Sequence, residues 1–400
     1  MSDAARLRVS SACTARMARG LSPWAVALIA LALWGVFVAA RWWLAADGEI
    51  ARFVVAGSLL TAPEAGLPVL PGPGYDGQFL YRLAVDPTDL RLQAHGVTLD
   101  SSLRLQRITY PALAYLVAFG QPGWVPAALV VVNLLGLGLV ALTAALLARD
   151  AGRAPVWGLL VAGFFGFVVT LGRDLTEITT AATLLSGVLL WQRGRLAWAA
   201  VAFSAAALSR ESGLLFVGAF LAAEVLLALG SGARQPRAVL RLLAVGAAPL
   251  LAFLSWQLVC WRVVGEVPLL ASRGRNLVLP GQDLLPAAAG WVRGAAAGDR
   301  ADLVNLGQFV CLATVVLMAA WALRSSAAPL GVKAAWCATL LLVASLSSSV
   351  WRGPADFRTA TELYLASVLV LLAGGRSLRL PALLLLVTTP LTALLRVVDL

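Results

Sequence analysis

The chain has 400 residues, of which 60% are hydrophobic and only 13% are charged. Soluble globular domains carry about 25% charged and roughly 45–50% apolar residues, and repeated apolar runs of about 20 residues are long enough to cross a bilayer. This composition excludes an ordinary water-soluble enzyme. The net charge of +11 comes without a basic run interleaved with aromatic residues, so it does not indicate nucleic-acid binding.

Apolar runs bounded by charged residues or tryptophans predict an all-α fold, a polytopic transmembrane helical bundle of about eleven spans. The first run ends at Trp42 and Trp43, and it is longer than the roughly 7–15 apolar residues of a secretory signal, so we expect it to be retained as a span. The predicted spans are 23–44, 124–148, 155–172, 175–191, 196–209, 213–229, 242–261, 303–323, 334–350, 359–374 and 380–396.

The distribution of charge predicts that the N-terminus is cytoplasmic. Basic residues concentrate in the short loops on that side, among them Arg149, Arg153, Arg193 and Arg195. The carboxylates fall on the opposite side, with the exceptions of Asp3, Asp150 and Glu224. Acidic residues contribute little to topology, so their concentration indicates where polar chemistry occurs. We predict a multi-pass protein of the plasma (inner) membrane of a bacterium, with its active site on the extracytoplasmic side.

Two long segments interrupt the predicted spans on the outer side. The first, 45–123, contains a Pro/Gly-rich stretch and an apolar run, 108–120, which is too short to span and is expected to lie in the membrane interface. The predicted organisation is a cytoplasmic tail (1–22), a catalytic membrane module that includes the first outer segment (23–261), a second outer segment (262–302) and C-terminal transmembrane helices (303–400).

The stretch from Gly74 to Arg82 in the first outer segment reads GYDGQFLYR. An aspartate after a Pro/Gly run often forms a turn or caps a helix. Asp76 would also lie just above the membrane, where a carboxylate can act as a general base. Hydrogen-bonding groups for a substrate are predicted on the neighbouring Tyr75, Gln78, Tyr81 and Arg82.

A second charged motif, Arg173-Asp174 followed by Glu177, opens the predicted span 175–191. A purely structural interpretation is that the two acids lie in the first helical turn, where they interact favourably with the helix dipole, and form an ion pair with Arg173. The functional interpretation is a charged patch that orients a phosphate or a metal ion. The carboxylates of Asp76, Asp174 and Glu177 could also bind a divalent metal ion, which stays a candidate cofactor. No other cofactor is indicated, because the chain has no Cys/His spacing for zinc or haem.

Two tight hairpins carry the remaining charges. Arg210-Glu211 joins two predicted spans with very little polar linker, and charges at membrane depth usually face a cavity or one another. Arg352 and Arg358 belong to a later outer hairpin, for which an ion-paired loop is the simpler interpretation. We predict phosphate binding by Arg210 and supporting site roles for Asp174, Glu177, Glu211, Arg352 and Arg358.

Four of these stretches, in order, resemble the GT-C superfamily, the multispan glycosyltransferases that use polyprenyl-phosphate-linked sugars. They are YDGQFLYRLA from Tyr75, ITYPALAYLVA from Ile108, RDLTEITTAATLLSGVLL from Arg173 and AALSRESGLLF from Ala206. The layout is similar to that of the PIG-V-type mannosyltransferases, with Tyr75 in place of a first-loop tryptophan and Glu211-Ser212 in place of Ser-Asn. The resemblance covers roughly residues 23–220.

The resemblance implies a GT-C-like bundle with interfacial helices in the first outer loop, and a lipid-phosphate-dependent hexosyltransferase activity. It implies that Asp76 is the catalytic base and that Arg173 and Arg210 contact phosphate. The donor would be a polyprenyl-phosphate-linked sugar such as mannose, and the acceptor a glycan, lipid or protein of the cell envelope. Arginines suit this chemistry because breaking the sugar–phosphate bond leaves negative charge on the phosphate.

Two other classes of function stay open at this point. A transporter or lipid flippase would show charged residues at the membrane midplane, broken helices and two related halves, of which the sequence shows only Glu224 inside a span. The other class is a non-catalytic subunit of an envelope-assembly complex.

Overall fold

The structure, a computed structural model, describes residues 20–230, 236–271, 276–351 and 356–398. Within these ranges the fold is almost entirely helical, with four strands of two residues each. Most of the predicted cytoplasmic tail lies outside the described residues. The α-helices are α1 (Pro23–Leu44), α2 (Gly77–Val85), α3 (Thr109–Val117), α4 (Val125–Asp150), α5 (Gly158–Ala162), α6 (Gly166–Gly172), α7 (Glu177–Gln192), α8 (Leu196–Ser209), α9 (Glu211–Gly230), α10 (Pro236–Val264), α11 (Pro268–Ala271), α12 (Leu284–Ala296), α13 (Arg300–Ala322), α14 (Leu330–Ala344), α15 (Ser348–Trp351), α16 (Thr361–Ala373) and α17 (Arg379–Val398). Short 3-10 helices lie at Ile50–Val54, Pro63–Ala65, Ser102–Gln106, Pro122–Trp124, Pro155–Trp157 and Phe357–Ala360, and the strands are β1 (Ala56–Gly57), β2 (Val69–Leu70), β3 (Gln93–Ala94) and β4 (Val97–Thr98).

The chain is a helical membrane protein with five or six candidate spans in its described part, and the prediction of about eleven is wrong. The five are α1, the helical stretch Pro122–Asp150 that contains α4, α9, the Leu243–Val264 part of α10, and α13. The sixth candidate is the pair α5 and α6, which is bent by 64°.

The overcount comes from apolar helices that are too short to cross a bilayer. The apolar stretch Arg379–Leu395 of α17 is one of them. The helices α7, α8, α14 and α16 have 16, 14, 15 and 13 residues. At 1.5 Å per residue they reach about 20–24 Å, against roughly 30 Å of hydrocarbon. Helix α16 is buried along its length from Thr361 to Leu372. A helix enclosed by protein is as apolar as one that faces lipid, so the sequence pattern did not separate the two.

The helices place their connecting segments at two ends of the bundle. At one end Arg193 donates to Asp150 at 2.9 Å, and Arg153 donates to the carbonyl of Arg376 at 2.7 Å. We call the other end the charged end; it contains residues 45–123, the α6–α7 turn, the α8–α9 junction, and residues 345–351 and 356–360. Because successive helices run between the two ends, even the short ones bring together segments that are far apart in sequence.

Residues 45–123 form a compact unit at the charged end. Strand β1 pairs in parallel with β2, and β3 pairs antiparallel with β4. Gly57 allows a close approach of two backbones, because a Cβ there would lie 2.0 Å from the backbone nitrogen of Gly74. Helix α3 forms within the run that was predicted to lie in the interface, and it exposes Leu116. The unit holds the loop that carries Asp76 against the ends of the long helices.

The break between α5 and α6 is a joint packed by side chains. The indole of Trp34 donates to the Ala162 carbonyl at 3.0 Å, and Thr389 donates to the Gly163 carbonyl at 2.6 Å. The hydroxyl of Tyr364 donates to the Leu160 carbonyl, and its ring stacks on Phe164 with centroids 4.4 Å apart. Carbonyls that a broken helix leaves without partners are therefore bonded to protein.

Tyr364→Phe should destabilise this joint while keeping its packing. The substitution removes the bond to the Leu160 carbonyl and leaves a buried acceptor unpaired, which costs about 1–3 kcal/mol. We expect a lower melting temperature in detergent. Tyr115→Phe is the control, because the Tyr115 hydroxyl has no hydrogen bond among the described residues. Equal melting temperatures for the two variants would contradict this account of the joint.

Candidate active site

A cluster of acidic and basic side chains occupies the charged end. Five separate segments contribute: the loop before α2, the 3-10 helix at 102–106 with the residue after it, the start of α7, the α8–α9 junction, and residues 356–362. We name this set the charged cluster. Its members are Asp76, Arg104, Arg107, Glu177, Arg210, Glu211, Asp356, Arg358 and Glu362.

Asp76 lies within ion-pair distance of three arginines. Its carboxylate is 3.0 Å from Arg104, 3.3 Å from Arg358 and 3.9 Å from Arg107. Burial raises the pKa of Asp76, but the three guanidinium groups lower it further, to about 2. The side chain makes no helix-capping hydrogen bond to α2, so the capping role that the sequence left open is not the one observed. Asp76 is an ionised carboxylate held by cations.

Arg358 links the acids of the cluster, and all three of its guanidinium nitrogens donate. Nη1 donates to Glu177, Nε donates to Asp356 at 2.6 Å, and Nη2 donates to Asp76 at 3.3 Å. Burial lowers the pKa of Arg358, but the acids around it raise it well above its usual range. Arg358 is a fixed cation that connects three separate segments of the chain.

Arg210 is a buried cation with unused hydrogen-bonding capacity. Its Nη1 lies 3.5 Å from Glu177 and 3.8 Å from Glu362. Neither Nε nor Nη1 has a hydrogen-bond partner within the described part of the chain. Ser212, the second residue of α9, donates to Glu362 at 2.7 Å and holds that acid close to the junction. An anion with oxygens placed at Arg210 would satisfy donors that the protein leaves open.

Glu211 forms the other side of the α8–α9 junction. It accepts from Arg107 at 2.6 and 3.2 Å and from Gln106 at 3.2 Å. Burial lowers the pKa of Arg107, and the neighbouring Glu211 and Asp76 raise it above its usual value. The adjacent residues Arg210 and Glu211 therefore contact different members of the cluster.

Tyr75 provides an aromatic surface for two arginines. The guanidinium carbon of Arg173 lies 4.2 Å from the centre of the Tyr75 ring, and that of Arg358 lies 5.4 Å from it. The Tyr75 hydroxyl donates to Asp356 at 3.1 Å, and burial raises its pKa to about 12. Arg173 has no acid within 4.0 Å among the residues that the structure describes. Its guanidinium contacts a π face rather than a carboxylate.

Three residues that were predicted to contact the substrate instead form hydrogen bonds inside the outer segment 45–123. Gln78 accepts from the Gly57 amide at 3.1 Å and from Thr61 at 2.8 Å. Tyr81 donates to the Ala65 carbonyl. Arg82 is fully buried and donates to backbone carbonyls of residues 89 and 91. These contacts use the Gln78 amide, the Tyr81 hydroxyl and both Nη atoms of Arg82, and only the buried Nε of Arg82 has no hydrogen-bond partner among the described residues. The three residues are therefore not part of the proposed site.

Asp174 lies apart from the charged cluster. It is fully buried in a left-handed backbone conformation with φ +52°, in the electrostatic field of Arg41 and beside Tyr110. The supporting role predicted for Asp174 therefore does not arise from contact with Asp76 or Glu177. Arg352, another predicted supporting residue, lies outside the described residues.

Four members of the cluster were not among the predicted site residues: Arg104, Arg107, Asp356 and Glu362. Arg104 and Arg107 lie one helical turn apart immediately before ITYPALAYLVA, and that spacing was the available signal. Asp356 is two residues before the predicted Arg358, and Glu362 opens the helix that follows it. Their shared feature is a position where an apolar run begins or ends.

A narrow cleft with a cavity volume of about 10 Å³ opens onto Asp76. It is lined by Phe79, Leu80, Leu175 and Thr176 and by the arginines at 104, 107 and 358. In residues 20–230, 236–271, 276–351 and 356–398, no three His, Cys, Asp or Glu side chains are grouped to hold a metal ion. The predicted acids at 76 and 177 are bonded to arginines instead. The arrangement suits an anion and a hydroxyl group better than a cation.

No family model, curated protein or solved structure matches the chain.

Gly77→Ala should displace Asp76 from its arginines. A Cβ at Gly77 would lie 2.4 Å from the Arg173 carbonyl oxygen and 2.6 Å from that of Val54, so the backbone has to move. We expect a destabilisation of about 1–3 kcal/mol, measured as a lower melting temperature in detergent. Gly123→Ala is the matched control, because a Cβ there meets nothing within 4 Å. A Gly77→Ala variant as stable as the control would refute the close approach.

Lowering the pH from 4 to 2 should weaken the fold through Asp76. Its folded pKa of about 2 lies below the unfolded value of about 3.9. The stabilisation is therefore present above pH 4 and is lost as the pH falls through 2. We expect the difference in unfolding free energy between the chain and Asp76→Asn to shrink by about 2 kcal/mol over this range. Asp89 also has a pKa of about 2, but its contribution cancels in this free-energy difference because both proteins contain Asp89. A constant difference would contradict the assignment.

Proposed function

We propose that the protein is an integral-membrane glycosyltransferase. It transfers a sugar, with mannose the first candidate, from a polyprenyl-phosphate donor to a glycan, lipid or protein acceptor of the cell envelope. The N-terminus is cytoplasmic in this proposal, and the charged end faces the non-cytoplasmic side of the plasma membrane. The resemblance to the GT-C superfamily motivates the donor class, and the geometry of the charged cluster supplies the chemical argument.

One observation carries the proposal: an ionised aspartate and several arginines share a cleft at one end of a bundle of apolar helices. Asp76 is brought there by residues 45–123, and Arg104, Arg107 and Arg358 surround it. A donor with a polyprenyl tail would keep its phosphate near the end of the hydrocarbon layer, which is where such a cleft has to be. The cleft thus combines a base with cations, and in this proposal it lies at the membrane depth that the donor requires.

The proposed reaction is a displacement at the anomeric carbon. The acceptor oxygen bonds to that carbon as the bond between carbon and phosphate oxygen breaks, and the electron pair of the broken bond remains on the polyprenyl phosphate. The proton of the acceptor hydroxyl moves to the Asp76 carboxylate. A well-placed carboxylate base contributes about 10²–10⁴-fold to such a step. The phosphate leaves as an anion, and arginine donors stabilise it.

Arg210 and Arg173 are the best-supported phosphate ligands, because their donors are the least used. Arg210 has two nitrogens without hydrogen bonds, and Arg173 is balanced by the Tyr75 ring. Arg104, Arg107 and Arg358 are already paired with acids, and they can stabilise phosphate only by loosening those pairs. Arg104, Arg107 and Arg358 line the cleft, whereas Arg173 and Arg210 lie outside its lining, next to Tyr75 and Glu177 respectively.

Substrate binding would also make Asp76 a stronger base. With three arginines around it, the Asp76 carboxylate has a pKa of about 2 and holds a proton poorly. A donor phosphate that draws one of these arginines away removes a positive charge from beside Asp76 and raises its pKa. The base is then strengthened at the moment when the donor is bound.

The transporter alternative depends on the broken helix pair α5 and α6. In transporters such breaks leave backbone groups free to hold a substrate or an ion. Here the carbonyls at the break accept from Trp34, Thr389 and Tyr364. The break has no free acceptors of that kind at Leu160, Ala162 or Gly163, so it favours a structural joint over a transport site.

Asp76→Asn should abolish sugar transfer without unfolding the protein. We would reconstitute the full chain in liposomes with polyprenyl-phosphate mannose or glucose labelled in the sugar. The readout is labelled sugar released to water or to envelope lipids. We expect at least a 10²-fold lower rate for the variant, because the base is lost and the geometry is kept.

Asp100→Asn is the matched control, because Asp100 also pairs with Arg104, at 2.8 Å, and lies on the rim of the segment. The control should keep nearly full activity. Normal turnover by Asp76→Asn would refute the base assignment. Accumulation of intact donor inside the vesicles would favour a transporter, and activity that appears only with an added partner protein would favour a subunit role.

A further inference from the structure

A second cleft lies at the end of α1, away from Asp76. It has a cavity volume of about 110 Å³ and is lined by Arg41, Ala45, Arg52, Val55 and residues 68–70. It shares no lining residue with the Asp76 cleft. The proposed glycosyl transfer makes no use of it.

Arg41 lines this cleft as a buried cation with unpaired hydrogen-bond donors. It is 2% exposed, and its guanidinium carbon lies 4.8 Å from the centre of the Phe53 ring. Its Nε and Nη1 have no hydrogen-bond partner among the described residues. A buried cation with unused donors is costly unless an anion completes its surroundings.

Asp174 does not fill that role. It acts on Arg41 through the electrostatic field, yet the two side chains make no ion pair within 4.0 Å. Burial raises the pKa of the Asp174 carboxyl well above its usual range, which weakens its ability to balance the charge of Arg41. The guanidinium therefore retains most of its capacity for another anion.

The mouth of the cleft combines a second cation with apolar side chains. Arg52 lies 3.0 Å from Asp47 and 3.4 Å from Glu49, and both of these acids are well exposed. Such surface pairs are weak and can exchange for another anion. Beside the mouth, Trp43, Leu44 and Leu70 are 69%, 75% and 44% exposed. Tryptophan is typical of the membrane–water interface, so this mouth opens where lipid headgroups lie.

We propose that the cleft binds the phosphate group of an anionic membrane lipid between Arg41 and Arg52. The acyl chains would lie along the exposed apolar residues at the end of α1 and at Leu70. Paired guanidinium groups bind phosphate through charge-assisted hydrogen bonds. The site is independent of sugar transfer, and it would anchor the α1 end of the outer segment in the interface.

Native mass spectrometry of the full chain in detergent tests this site, with phosphatidylglycerol as the probe. Phosphatidylcholine and inorganic phosphate serve as comparison ligands. We expect phosphatidylglycerol to bind more tightly than phosphatidylcholine. Arg41→Gln and Arg52→Gln should each weaken its binding by about tenfold. Ala45→Trp should weaken it as well, because it fills the cleft and keeps both arginines, so the test holds even if Arg41→Gln does not fold.

Arg91→Gln is the matched control, because Arg91 is an exposed arginine of the same segment that is paired with Asp89 at 2.6 Å. It should leave lipid affinity unchanged. Equal affinity in the chain, Arg52→Gln and Ala45→Trp would overturn the proposal. Binding of inorganic phosphate without a preference for phosphatidylglycerol would overturn the lipid assignment. Asp76→Asn should retain lipid binding, so the failure of this site and of the proposed activity are distinguishable.

Discussion

The burial of opposite charges around Arg358 is the constraint on which the charged end depends. Arg358 joins Asp76, Glu177 and Asp356, and Asp76 is separated from it by 282 positions in the chain. Removing Arg358 itself would leave the buried Glu177 and its neighbour Asp356 without their closest cation, which is strongly destabilising. The outer segment, the start of α7 and the loop before α16 are therefore fixed relative to one another by electrostatics as well as by apolar packing.

The same pairing explains why the Asp76 cleft is narrow. The arginines that would receive a phosphate are occupied by carboxylates, so the resting arrangement has little space for a sugar. Arg210 and Arg173 are the exceptions, since one has open donors and the other stacks on Tyr75. A phosphate that binds first to these two would then compete with the acids for the remaining arginines. Stability of the empty site and affinity for an anion are thus opposed, because both use the same guanidinium groups.

The apolar helices serve two different purposes in this chain. Long ones such as α1 and α13 expose large apolar side chains, including Leu33 and Leu317, as expected for contact with lipid. Short ones such as α16 are enclosed by the bundle and hold polar loops in place at their ends. The two arginine-lined clefts lie where these loops meet the ends of the helices. That position follows from the cost of placing charge within the hydrocarbon layer.

The sequence by itself determined that the chain is a helical membrane protein, because helices in contact with lipid need long apolar runs and few charged residues. It also marked Asp76, Glu177, Arg210 and Arg358 as charges at the ends of apolar runs, and these four meet in one cluster. Only the tertiary structure decided how many helices can span, because a buried helix and a lipid-facing helix have the same composition. Only the tertiary structure showed which partner each polar side chain has. Gln78 and Arg82 resemble site residues in the sequence, yet they donate to backbone carbonyls of their own segment. The local sequence shows which positions are polar or apolar. The contacts of a polar side chain depend instead on which distant segments the fold brings together.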